Sequence, residues 1–150
     1  MNWNFNNNYA NWNSEISNEE EKINLARKIA EKVKDGDVIG FGSGSTSFLT
    51  VKEIAKKVKN ENLKITAIPT SYEIKLLCNN LEIPTASILE KKPDWSFDGT
   101  DEFDENNWLI KGRGAAMFKE KLNIKASKKV YILADSTKFV NKLGEKFCVP

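Results

Sequence analysis

Asp37-Val38-Ile39-Gly40-Phe41-Gly42-Ser43-Gly44-Ser45-Thr46 is the stretch that decides the fold. Its first half is a short apolar run of the kind a buried strand shows. Its second half is a glycine- and hydroxyl-rich turn, after which Phe48, Val51, Ile54, Ala55 and Val58 recur at helical spacing. Upstream, Ser17-Asn18-Glu19-Glu20 has the form of a capping box. It opens a helix carrying Ile23, Ala26, Ile29, Ala30 and Val33, which Lys34-Asp35-Gly36 ends. Downstream, strands are predicted at 63–68, 83–88, 94–98 and 129–134, and another begins at Phe147-Cys148-Val149. Helices are predicted over 71–80 and 114–124. Strands that alternate with helices imply an α/β fold, a Rossmann-like and mostly parallel sheet with helices on both faces. Residues 1–16, in which asparagines interleave with Trp3, Phe5, Tyr9 and Trp12, read as a mobile tail too polar to offset its ordering entropy. Residues 17–150 read as one domain.

Composition narrows the function. The 150 residues are 40% hydrophobic and 29% charged, with a formal net charge of +2. Basic residues alternate with acidic ones, so nucleic acid and anionic membranes are not expected partners. No apolar run reaches the length of a membrane span, and no basic segment followed by an apolar one opens the chain, so a cytoplasmic protein is expected. Cys78 and Cys148 lack metal-ligand spacing and read as reduced packing residues. The chain has no histidine. Triads built on His and His-based zinc sites are therefore excluded, and a general base must be a carboxylate, Lys, Tyr or Cys.

In a parallel sheet, ligands bind beyond the carboxyl ends of the strands. Four polar segments fall there: Gly42–Thr46, Pro69-Thr70-Ser71, Asp98–Asp101 and Asp135-Ser136-Thr137. Ser43, Gly44, Ser45 and Thr46 offer hydroxyls and helix N-terminal amides to an anion, although the lysine of a Walker A loop is missing. Asp98-Gly99-Thr100-Asp101-Glu102 gathers three carboxylates, which suits sugar hydroxyls, a metal through Asp98 and Asp101, or a turn held by its own hydrogen bonds. Lys111-Gly112-Arg113-Gly114 sets a cation beside amides that could stabilise an oxyanion. Glu120 follows on a helix where the small Ala116 leaves it room. By periodicity alone, between Lys119 and Lys121, it reads as an ordinary surface glutamate.

Taken together and in order, these segments resemble the A-type ribose-5-phosphate isomerases. Gly42–Thr46 matches the family's Gly-[Thr/Ser]-Gly-Ser-Thr turn, and Asp98–Glu102 its Asp-Gly-Ala-Asp-Glu turn. Lys111–Ala116 with Glu120 matches its Lys-Gly-Gly-Gly-Ala-Ala stretch and following glutamate, and Ala134–Lys138 its Ala-Asp-x-[Ser/Thr]-Lys segment. Thr100 stands for an alanine and Arg113 for a glycine. The resemblance implies interconversion of ribose 5-phosphate and ribulose 5-phosphate, a step of the non-oxidative pentose phosphate pathway, with no metal and no cofactor. Glu120 would shuttle the proton, and Asp98 and Asp101 would hold hydroxyls and assist ring opening. Lys111 and the amides near Gly112 to Gly114 would stabilise the enediolate. Ser43 to Thr46, Lys138 and Lys22 would bind phosphate. The family's small C-terminal α/β domain would lie past Pro150 and is missing here, so exposed apolar surface and a homo-oligomer are expected. The alternatives are a non-catalytic sugar-phosphate module or truncated inactive relative, and an acyl-CoA transferase of related fold.

Overall fold

The computed structural model describes Trp12 and residues 14–150. In chain order the elements are α1 (Glu19–Ala30), β1 (Val38–Phe41), α2 (Gly44–Asn60), β2 (Thr66–Pro69), α3 (Tyr72–Asn80), β3 (Trp95–Gly99), β4 (Glu102–Phe103), β5 (Leu109–Ile110), α4 (Met117–Ala126) and β6 (Lys129–Leu133), then a 3-10 turn at Ser136–Lys138. Four strands form a parallel sheet in the order β2-β1-β3-β6. β4 and β5 make a separate antiparallel hairpin.

Alternation along the strands sets what lies on each face. Ile39, Phe41, Ala67, Trp95 and Phe97 join Ala26, Ile29, Val51, Ile54, Ile74 and Leu77 of α1, α2 and α3 in one core. Gly40 and Ser96, paired across β1 and β3, turn the other way, towards α4. A Cβ at Gly40 would lie 3.1 Å from the Asn123 amide nitrogen. The missing side chain is what lets α4 reach the sheet. Helices thus cover both faces, unequally.

Several boundaries differ from the sequence reading. Residues 63–65 are not strand, because Lys64 spends its backbone on the turn before β1, with its N–H on Asp35 and its carbonyl on Gly36 N–H. Of 83–88 only a single bridge, Ala67 to Thr85, forms; Pro84 has no N–H for a ladder. Helix α4 starts at Met117 rather than 114, since Ala115 is left-handed with φ 59°. Residues 147–149 form no strand, because the Phe147 amide is taken by Glu102. The capping box does not form. Asn18 caps α1 at φ 48° without a side-chain cap bond, and its amide reaches Asp135 and Thr137 instead. Most of the segment read as a mobile tail lies outside the described residues, but Trp12 packs edge-on against Phe48, ring centroids 5.2 Å apart, and Ile16 also meets the core. Cys78 is buried as expected, whereas Cys148, also read as a packing residue, is exposed.

Candidate active site

Asp98 ends β3 beneath the glycine turn. A Cβ at Gly42 would lie 2.7 Å from the Asp98 Cα, so only glycine lets the end of β1 pass this carboxylate. Asp98 Oδ1 accepts the N–H groups of Gly99 at 2.8 Å and Ser43 at 3.3 Å. Its other oxygen lies 3.1 Å from Lys111 Nζ.

The hairpin is what brings Lys111 there. Thr100 sits at its root with its hydroxyl 2.8 Å from the carbonyl oxygens of both Glu102 and Ile110, so the chain leaving β5 returns to the end of β3. Lys111 Nζ donates to the Gly99 carbonyl at 2.6 Å and stands 3.3 Å from Glu120 Oε2. One ammonium therefore faces two carboxylates, each less than a tenth exposed. Asp98 Oδ2 and Glu120 Oε2 are buried without a hydrogen bond, aimed at that ammonium. Burial pushes the Asp98 carboxyl up to about 6; Lys111 pulls it down and Glu120 pushes it up further. Asp101, half-buried, accepts the Arg113 N–H at 3.1 Å.

The other end is cationic. The first turn of α2 carries no acidic residue, and its leading amides have no partner within the helix. Ser43 Oγ is 2.6 Å from Thr70 Oγ1, which ties this turn to the loop after β2. Lys22, 3% exposed, places Nζ 3.4 Å from Ser45 Oγ and 3.7 Å from Asp135. Desolvation lowers the Lys22 pKa against the pull of Asp135. Asp135 itself sits below the ordinary carboxylate range: its burial is outweighed by Thr137 and by Lys22.

The residues singled out from sequence meet in one pocket of about 130 Å³: Lys22, Ser43, Gly44, Ser45, Thr46, Asp98, Gly99, Thr100, Asp101, Lys111, Gly112, Arg113, Gly114, Glu120 and Lys138. Sequence reasoning found Asp135 and Glu102 in their motifs but missed what they support, and it missed the reach of Asn18 altogether. Asn18 and Asp135 hold Lys22 in place, and buried Glu102 fixes the segment after Val140. Among the described residues no three potential metal ligands lie together.

The model of the family described as ribose 5-phosphate isomerase A (phosphoriboisomerase A) matches residues 66–150. Ribose-5-phosphate isomerase A of Methanocaldococcus jannaschii is 41% identical over 136 residues, which are 90% of this chain and 60% of that protein. Ribose-5-phosphate isomerase A 1 of Oceanobacillus iheyensis is 40% identical over 136 residues, 89% and 60% of the two chains. The solved M. jannaschii enzyme superposes with a TM-score of 0.84, covering 87% of this chain and 59% of that one. A D-ribose-5-phosphate isomerase solved in complex with phospho-erythronic acid gives 0.83 at 38% identity, with 87% and 58% covered. The chain spans about 60% of the length of the curated relatives it matches. A parallel sheet whose strand ends converge on Asp98, Lys111 and Glu120, with that degree of likeness behind it, places this chain in the ribose 5-phosphate isomerase A family.

Proposed function

We propose that this pocket interconverts ribose 5-phosphate and ribulose 5-phosphate through an enediolate. The supporting observation is the single ammonium of Lys111 lying between Asp98 and Glu120 in the pocket that also holds the first turn of α2. Aldose–ketose isomerisation needs one base that takes a proton from C2 and returns it to C1, help in opening the ring, and a positive group for the transient oxyanion. Glu120 is the base. Sequestered on α4, it can hold the proton without losing it to bulk water. Lys111 faces the oxyanion as it forms and, being fixed by Gly99 and Asp98, need not reorganise when it does. Asp98 and Asp101 receive the sugar hydroxyls and assist ring opening. The α2 amides, Ser45, Lys22 and Lys138 take the phosphate.

The relatives' names and the phospho-erythronic acid bound to one of them support this assignment. A sugar-acid phosphate presents a carboxylate where the enediolate presents its oxyanion, so it is a natural probe of the pocket. The test is isomerisation of ribose 5-phosphate by the 150-residue chain and by its Glu120→Gln variant. Loss of the base should lower kcat by about a hundred- to ten-thousand-fold while ribose 5-phosphate still binds. A Glu120→Gln variant that turns over at the parent rate removes Glu120 from the mechanism. Binding without turnover in the parent chain makes this a sugar-phosphate module.

A further inference from the structure

Phe147 has no part in the chemistry described above, yet two cations of the pocket rest on its ring. The Arg113 guanidinium lies 4.3 Å from the ring centroid and Lys138 Nζ 5.4 Å from it. Both residues line the pocket, and Lys138 lies near enough to Lys22 to depress its pKa. The ring is held in turn by a buried carboxylate. Glu102, 0% exposed, accepts the N–H groups of Lys146 at 2.6 Å and Phe147 at 2.7 Å on one oxygen, and that of Gly144 at 2.6 Å on the other. Lys146 ties the same segment back to the carbonyl oxygens of Thr137 and Phe139. Asp101 holds the Arg113 backbone N–H, but the long side chain springs from between two glycines, Gly112 and Gly114, which offer it no side chain to lean on. An exposed arginine between glycines loses much of its reach to rotamer freedom unless something seats it.

We propose that the segment 144–147, pinned by Glu102, is a platform on which Phe147 positions Arg113 and Lys138 at the phosphate end of the pocket, so that Arg113 contacts the ligand's phosphate. The inference rests on reading this end of the pocket as the phosphate site. Two cations brought to one ring repel each other, and the negative face of the ring offsets only part of that. A phosphate dianion beside them offsets the rest and gains a planar donor fork that a lysine lacks. The guanidinium thus supplies selectivity for a phosphorylated ligand and no chemistry at the reacting carbons.

Calorimetric titration of the full chain with ribose 5-phosphate, inorganic phosphate and unphosphorylated ribose separates these roles. Arg113→Gly should weaken both phosphate ligands about tenfold and flatten the salt dependence of binding, leaving ribose unchanged. Phe147→Leu should weaken them about threefold, and Phe147→Tyr should restore affinity. In the Arg113→Gly background the Phe147→Leu loss should shrink, the sign of a shared interaction. Unchanged phosphate affinity in Arg113→Gly overturns the proposal. So does an equal Phe147→Leu effect in both backgrounds, which would mark the ring as structural only. A parent chain that binds phosphate without isomerising ribose 5-phosphate defeats the proposed reaction and leaves this comparison intact. A parent chain that binds no phosphate ligand defeats both.

Discussion

At the scale of the residue, Asp98 sits where its chemistry costs stability. Its carboxyl, moved from an ordinary 3.8 to about 6 mainly by burial, favours the protonated form in the folded chain more than in the unfolded one. Its contribution to stability is therefore complete below about pH 4 and is lost as pH rises through about 6, a change of about 3 kcal/mol. Asp98→Asn removes that dependence. The difference in unfolding free energy, variant minus parent, should grow from about pH 4 to about pH 6.5 and level off above, as read by urea unfolding across that range. A flat difference would show that Lys111 offsets the burial of Asp98 fully. Glu120 is the counterpart on which periodicity fails. Between Lys119 and Lys121 it looks like surface, yet it is 7% exposed.

The reason lies at the scale of the element. Helix α4 turns Glu120 and Asn123 inward and leaves Phe118 73% and Leu122 38% exposed, an inversion of the usual amphipathic order. No hydrophobic count along 117–126 could have assigned that face. What seats the helix is polar: Asn123 donates to the Ile68 carbonyl at 2.7 Å, over the space left by Gly40. Asn123→Ala should destabilise the chain by about 1–3 kcal/mol, the cost of orphaning a buried acceptor. It should also lower ribose 5-phosphate turnover by loosening Glu120. Thermal unfolding and a kinetic assay on one preparation check both, and an unaltered melting curve would show that packing alone holds α4. The hairpin was equally illegible, since strands of two residues, Glu102–Phe103 and Leu109–Ile110, are too short to show a period. The helices α1 to α3 and the strands β1 and β3 were legible, because each buries apolar side chains at regular spacing. Strand β6 was legible because its apolar run, Val130 to Leu133, follows a helix, although only Leu133 is buried. The partners of Glu102 were not, being main-chain amides more than 40 residues away that leave no mark in the side-chain pattern.

At the scale of the whole molecule, the rule that ligands gather beyond parallel strand ends carried the most information. It set Ser43–Thr46 and Asp98–Asp101 at one site, to which the resemblance added Lys22 and Lys138, and all of them line one pocket. The single core can be read through its thiols. Cys78 is fully buried, with its pKa pushed up by burial to about 12, while Cys148 is exposed. A thiol reagent at pH 8 should modify Cys148 at once and Cys78 only at the rate of global opening. Mass spectrometry over time distinguishes them, and two equally fast labels would show that α3 opens by itself. The less covered face of the sheet carries a groove of about 700 Å³ beside Tyr72, Leu89 and Phe118, which are 76%, 94% and 73% exposed. Among the described residues no helix is long and apolar enough to cross a membrane.

The latch between the two ends of the domain has a kinetic meaning. Asn18 bonds to Asp135 and Thr137, 117 and 119 positions away, and Glu21 bonds to Ser136 across 115. Contacts of such long range form late, because the loop they close must be ordered first. A growing chain could complete β1, α2 and their glycine turn early, with Lys22 still lacking its partner Asp135 until β6 docked.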